Sequence, residues 1–223
     1  MSTHFWESKK GLLLQILLVF LPPVFVLKSV FLLPAMVVSL LLARGMLHLQ
    51  NKTWRDVGFR KPKYLGRLLT ITLFATVILF PLSSVVIQSA RMLTNSVPNL
   101  EAFKVIQGNL VALTAGLVVA WIFGAFVEEL LFRGFLLNTL AKLFSHSGNP
   151  LWISWIGAVF ITSVFTGVGH FYQGIVGMLG TGFIALGFSA VYLLNRRNLW
   201  SCILAHGLYD TVAFTLVYAG ILL

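Results

Sequence analysis

Apolar residues fall in unbroken runs long enough to cross a bilayer, and no other feature limits the fold of this chain as tightly. Crossing ~30 Å of hydrocarbon takes about 20 residues of helix. Runs of that order lie at Gly11–Leu27, Val30–Leu47, Leu68–Ala90, Leu110–Val127, Leu151–Val168, Ile175–Leu194 and Leu199–Leu223. A shorter apolar piece, Leu130–Phe144, is interrupted by Arg133. Apolar residues make up 58% of the chain and charged residues only 10%, where a soluble domain carries about 25% charge. One soluble core cannot hide that much apolar side chain, because surface shrinks slowly relative to volume. An aromatic content of 13% excludes a disordered chain. The single cysteine, Cys202, excludes a disulfide framework and a cysteine-based zinc knuckle. The fold class is therefore an all-α polytopic membrane protein, a bundle of seven to eight transmembrane helices.

The net charge of +10 fits membrane lipids as partners rather than nucleic acid. Lys and Arg gather in cytoplasmic loops and meet anionic lipid there. Arg44, Lys52, Arg55, Arg60, Lys61, Lys63 and Arg67 crowd one loop against a single Asp56. With Lys9-Lys10 also basic, the N-terminus and this loop are expected on the cytoplasmic side and Arg91–Gly108 outside. The first run follows Lys9-Lys10 as a signal peptide would, yet lacks a small-residue cleavage site. It is read as an uncleaved helix kinked at Pro22-Pro23, which neighbouring helices can tolerate.

Residues 1–67 form a helical hairpin with a basic loop, and residues 68–223 a helical core, within one integrated membrane domain. Two topologies stay open. If Leu110–Phe144 is one long helix there are seven spans and Arg196-Arg197 lies inside, as charge bias favours. If it breaks after Glu129 there are eight and the C-terminus lies inside, which the length of the segment favours at ~1.5 Å per residue. Trp152 and Trp200 open their runs, as interfacial aromatics do. Glycines over Gly167–Gly187 permit close helix packing.

The ionisable groups narrow the function. Only six acidic residues occur. Glu7, Asp56 and Glu101 lie in the terminus or in loops, whereas Glu128, Glu129 and Asp210 lie in or beside apolar runs, as do Arg133, His170 and His206. A charge at the centre of a membrane helix costs ~2.5–3.5 kcal/mol, so such groups are functional by default. On a helix Glu129 and Arg133 stand at i, i+4 in the favourable order. Glu128 is turned ~100° away and left without a local partner, and an unpaired carboxylate at low dielectric has the tuning of a general base. His206 and Asp210 again stand at i, i+4, with Asp210 placed to fix the imidazole tautomer. A carboxylate base, an imidazole and oxyanion donors are the parts of a water-activating hydrolase. Two histidines and a carboxylate (Glu128, His170, His206) also match the ligand count of catalytic zinc, although the H-E-x-x-H helix is absent. Metal-bound and metal-free water stay open.

These segments resemble the CPBP family of intramembrane proteases, also called the Abi or CAAX-protease-2-like family, which includes the Rce1-type prenyl-protein endopeptidases and bacterial proteins linked to bacteriocin self-immunity. Glu128-Glu129 with Arg133, then Gly134, match the family's E-E-x-x-x-R. His170 matches the histidine of F-x-x-x-H, with Thr166 at the aromatic position and Phe165 one residue early. His206 and Asp210 match His-x-x-x-Asn/Asp, and Val57-Gly58-Phe59-Arg60-Lys61-Pro62 looks like the basic loop before the family's core.

The resemblance implies that Glu128 and His170 activate water, that His206 and Asp210 stabilise the oxyanion, and that Glu129 and Arg133 hold the site together. It allows both a zinc-bound water and a metal-free Glu–His water, and the lack of a short-spaced ligand pair in this sequence favours the latter. It implies a bacterial plasma-membrane endopeptidase acting on a peptide or protein substrate, lipidated or membrane-embedded, in peptide processing or bacteriocin self-immunity. The rival readings are a non-catalytic immunity or scaffold protein of the same fold, and a proton-coupled transporter. The latter calls for inverted repeats that the sequence lacks. Proteolysis requires Glu128, His170, His206 and Asp210 to converge at one depth, in a cavity expected to open toward the cytoplasm.

Overall fold

The computed structural model describes residues 3–26, 31–146 and 149–222; the expected run boundaries at Leu27, Val30 and Leu223 lie outside these. After a short helix α1 (Thr3–Glu7), long helices follow: α2 (Lys9–Phe25), α3 (Leu32–Leu49), α4 (Leu65–Thr94), α5 (Leu110–Leu143), α6 (Trp152–Gly169), α7 (Gly174–Leu194) and α8 (Leu199–Tyr218). No strand occurs among the described residues. Polar caps set several starts. Ser8 Oγ accepts from Gly11 N at 3.2 Å, and Asn109 and Asn198 cap α5 and α8 in the same way. Asn95, at φ 47°, closes α4 in the left-handed region that ends many helices.

Six of these helices, α3 to α8, are long and apolar enough to cross a membrane. At 17 residues, α2 sits at the lower end of the crossing length. Helix α5 runs unbroken through Glu129 and Arg133 for 34 residues, which removes the eight-span topology. The break expected after Glu129 is absent because Arg133 is buried and paired inside the bundle, so its charge does not force the chain out. Instead the ladder widens into π-type turns over Ala120–Glu128 and Leu130–Leu136, a distortion often found at functional sites.

Phe135, Leu136, Leu137 and Ala141 of α5 are fully buried, and α3, α6 and α8 pack around them. Outward faces stay apolar: Leu73, Phe74 and Val77 of α4 are each more than half exposed, as lipid-facing residues are. The α2–α3 hairpin is tied where the buried Ser39 hydroxyl donates to Val19 O at 2.6 Å.

The basic loop between α3 and α4 closes on the α7–α8 turn. The Tyr192 hydroxyl donates to Val57 O at 2.9 Å, and Leu199 N to Gly58 O at 3.0 Å. Gly58 has φ 107°, and a Cβ there would strike the Arg197 carbonyl, so only glycine serves. Arg60 donates to Arg196 O at 2.8 Å and Arg67 to Leu194 O at 3.0 Å. The loop and Arg196-Arg197 thus share one end of the bundle, as the seven-span topology requires. Lys52 pairs with Glu7 at 3.0 Å, bringing the N-terminal turn to that end.

Helices α6 and α7 cross at Gly167, where a Cβ would come within 2.7 Å of Met178 O and 3.2 Å of the Gly182 Cα. The obstacle is backbone and cannot swing aside. Gly167→Ala is expected to lower stability by ~1–3 kcal/mol, read as a lower melting temperature in detergent, whereas Gly169→Ala, which meets nothing within 4 Å, leaves it unchanged.

Candidate active site

The middle of α5, the end of α6 and the middle of α8 carry the ionisable groups. Glu129 and Arg133 are both fully buried and paired through Arg133 Nη1 and Glu129 Oε1 at 2.9 Å. Arg133 Nη2 also donates to Ala185 O at 2.9 Å, anchoring α5 to α7. The same Glu129 oxygen lies 2.9 Å from His206 Nδ1, and His206 Nε2 lies 3.5 Å from Asp210 Oδ2. The sequence reading placed Asp210 beside the His206 ring, and the structure adds a second carboxylate there. Glu129 holds Nδ1, because α8 packs against α5 and sets the imidazole over the Glu–Arg pair. One imidazole therefore stands between two carboxylates, bonded to Glu129 through Nδ1 and 3.5 Å from Asp210 through Nε2.

Packing fixes this arrangement. Phe188 stacks on His206 with ring centres 4.8 Å apart, and its ring also lies 5.6 Å from the Arg133 guanidinium. Gly124 lets Asp210 lie against α5, since a Cβ there would sit 3.2 Å from Oδ2. Gly207 is covered by the Trp121 ring, whose Nε1–H donates to Thr211 Oγ1 at 3.1 Å.

His170 caps the C-terminal end of α6. Its Nδ1 is 2.9 Å from Thr166 O. A carbonyl only accepts, so Nδ1 carries a proton and donates it, leaving Nε2 clear of this bond. Thr166 thus occupies the motif's aromatic position and contributes its carbonyl, while Phe165 turns outward and meets Phe20 edge-on at 5.7 Å. Glu128 is half-buried and makes no hydrogen bond or ion pair among the described residues. Asp210 lies within electrostatic reach of Glu128, Glu129, His170 and His206, while direct contacts join the first and third motif segments through Glu129 and His206.

Tyr172 also belongs to this cluster, and the sequence reading missed it. Its hydroxyl is within electrostatic reach of Glu128 and Asp210, and its ring lies 5.7 Å from His170. The signal available was its place two residues after a histidine in an otherwise apolar stretch. Phe188 carried no comparable signal, since an apolar helix offers many phenylalanines.

The candidate zinc ligands do not fit the ion. Among the described residues no three His, Cys, Asp or Glu side chains are placed to hold a metal. Both nitrogens of His206 already face carboxylate oxygens.

No curated protein and no solved structure matches the chain. Residues 110–212, which contain all three motif segments, match the model of the family described as type II CAAX prenyl endopeptidase Rce1-like. By that match residues 110–212, a little under half of the chain, are similar to the CAAX-type intramembrane proteases.

Proposed function

We propose that this chain hydrolyses a peptide bond of a lipidated or membrane-embedded substrate, using a water activated by Glu128 and His170 without metal. The observation that carries this reading is the contrast between Glu129, saturated by Arg133 and His206, and Glu128, which makes no such bond. A carboxylate left without such a bond is equipped to take a proton from water. Water attacks the carbonyl carbon, its proton passes to Glu128, and the oxyanion is met by the Nε2–H of His206. Glu128 then returns the proton to the leaving amine, with His170 orienting the water. Asp210 positions His206 from one side and Glu129 from the other, while Arg133 holds Glu129 in place.

The basic residues of the α3–α4 loop, Lys9-Lys10 and Arg196-Arg197 support a cytoplasmic placement of that end and of the N-terminus. The motif set supports a bacterial plasma-membrane role in peptide processing or bacteriocin self-immunity. The test is a peptide comparison by mass spectrometry, using membranes that carry the unaltered chain or Glu128→Ala. A cleaved product confined to the former is expected, and identical peptide sets would leave the chain a non-catalytic relative of those proteases. Activity of the purified protein is further expected to survive prolonged chelation, with well under one zinc per chain by elemental analysis. Loss of activity on chelation with recovery on stoichiometric zinc would make Glu128, His170 and His206 ligands and Glu129 the base.

A further inference from the structure

We propose that the basic end of the bundle holds a site for the headgroup of an anionic phospholipid, seated between α3 and the start of α8. A cavity of about 740 Å³ opens there, a size that suits a headgroup and glycerol. Arg44 of α3 and Arg55, Arg60 and Lys61 of the loop line it. None of the four pairs with a carboxylate among the described residues. The loop's acid, Asp56, is not among the lining residues and accepts from Thr53 N at 2.7 Å and from the Thr53 hydroxyl at 2.9 Å. Arg60 is held by its bond to Arg196 O, which fixes its position without neutralising it. Four like charges around one cavity repel one another, and a phosphate placed among them relieves that repulsion.

Two further observations select a lipid over a small anion. Trp200 and Phe59, with ring centres 5.2 Å apart, form an aromatic wall, and Phe59 rests on Phe126 of α5 at 5.6 Å. Amphipathic rings of this kind settle at headgroup depth. Below Arg44, at i−3 and i−7 on the same helical face, Leu41 and Val37 are 67% and 41% exposed. A molecule whose phosphate meets Arg44 can lay an acyl chain along that stripe, which a free phosphate leaves unused. The inference stands apart from the proteolytic reading, since none of these residues belongs to the candidate active site.

The test uses the full chain in detergent, offered phosphatidylglycerol and phosphatidylcholine with identical acyl chains, with bound lipid counted by native mass spectrometry. Retention of one phosphatidylglycerol is expected at about ten-fold over phosphatidylcholine, falling to within about two-fold in Arg44→Gln/Arg55→Gln. Arg91→Gln/Lys104→Gln, which removes equal charge elsewhere, is expected to keep the preference, as is millimolar inorganic phosphate. Should the first pair fail to fold, Arg55→Gln/Lys61→Gln changes only exposed loop positions and is expected to lose most of the preference. Equal retention of both lipids by the unaltered chain, an equal fall in the control pair, or displacement by phosphate would each overturn the proposal.

Discussion

Glu128→Gln is expected to lower peptide cleavage by about 10²–10⁴-fold, the usual share of a general base, with no loss of folded protein. Glutamine keeps the shape of the side chain and removes only its basicity. The fold gives no reason for it to suffer, because Glu128 is half-buried and makes no hydrogen bond or ion pair among the described residues. The measurements are the cleavage rate of a membrane peptide and the elution profile of the purified variant. Full proteolysis by Glu128→Gln would mean that another group takes the proton. The same substitution at Asp210 is expected to act through His206, lowering the rate less and shifting its pH profile.

Glu129→Ala and Arg133→Ala are expected to act in the opposite way, by removing folded protein rather than rate. Both side chains are fully buried, and their 2.9 Å pair lies at the centre of the bundle. Removing one partner strands the other charge, a loss of ~3–5 kcal/mol for a buried pair. Glu129→Ala also frees His206 Nδ1, and Arg133→Ala also frees the Ala185 carbonyl. The yield of monodisperse protein and its melting temperature in detergent report the effect. Normal yields of both variants, with cleavage lost, would move Glu129 from a supporting part to a direct one.

Much of this was legible because it is local. Apolar runs became helices within a few residues, and the i, i+4 spacing of Glu129 with Arg133 and of His206 with Asp210 placed each pair on one face. The length of α4 was underestimated because Leu65–Arg67 and Arg91–Thr94 are polar-flanked turns that hydropathy does not register. Arg133 was read as an interruption of its run because hydropathy scores a charge without its partner. The Glu129–His206 contact could not be seen at all, since it depends on how α8 docks on α5. The same holds for Tyr172 and for the loop carbonyl of Val57 beneath Tyr192. Periodicity records which face a residue takes, but not which helix will meet that face.

Glu129 meets Arg133 four residues on, but His206 lies 77 residues downstream. A ribosome adding about 5–20 residues per second needs on the order of 4–15 s to cover that interval. During this time Glu129 has Arg133 as a ready partner, and the imidazole is not yet made. On the proposed mechanism the oxyanion donor arrives only with α8, so a nascent chain cannot cut its neighbours. A messenger that stops short of α8 yields an inert remnant rather than a partly active enzyme, and synthesis itself serves as the safety catch.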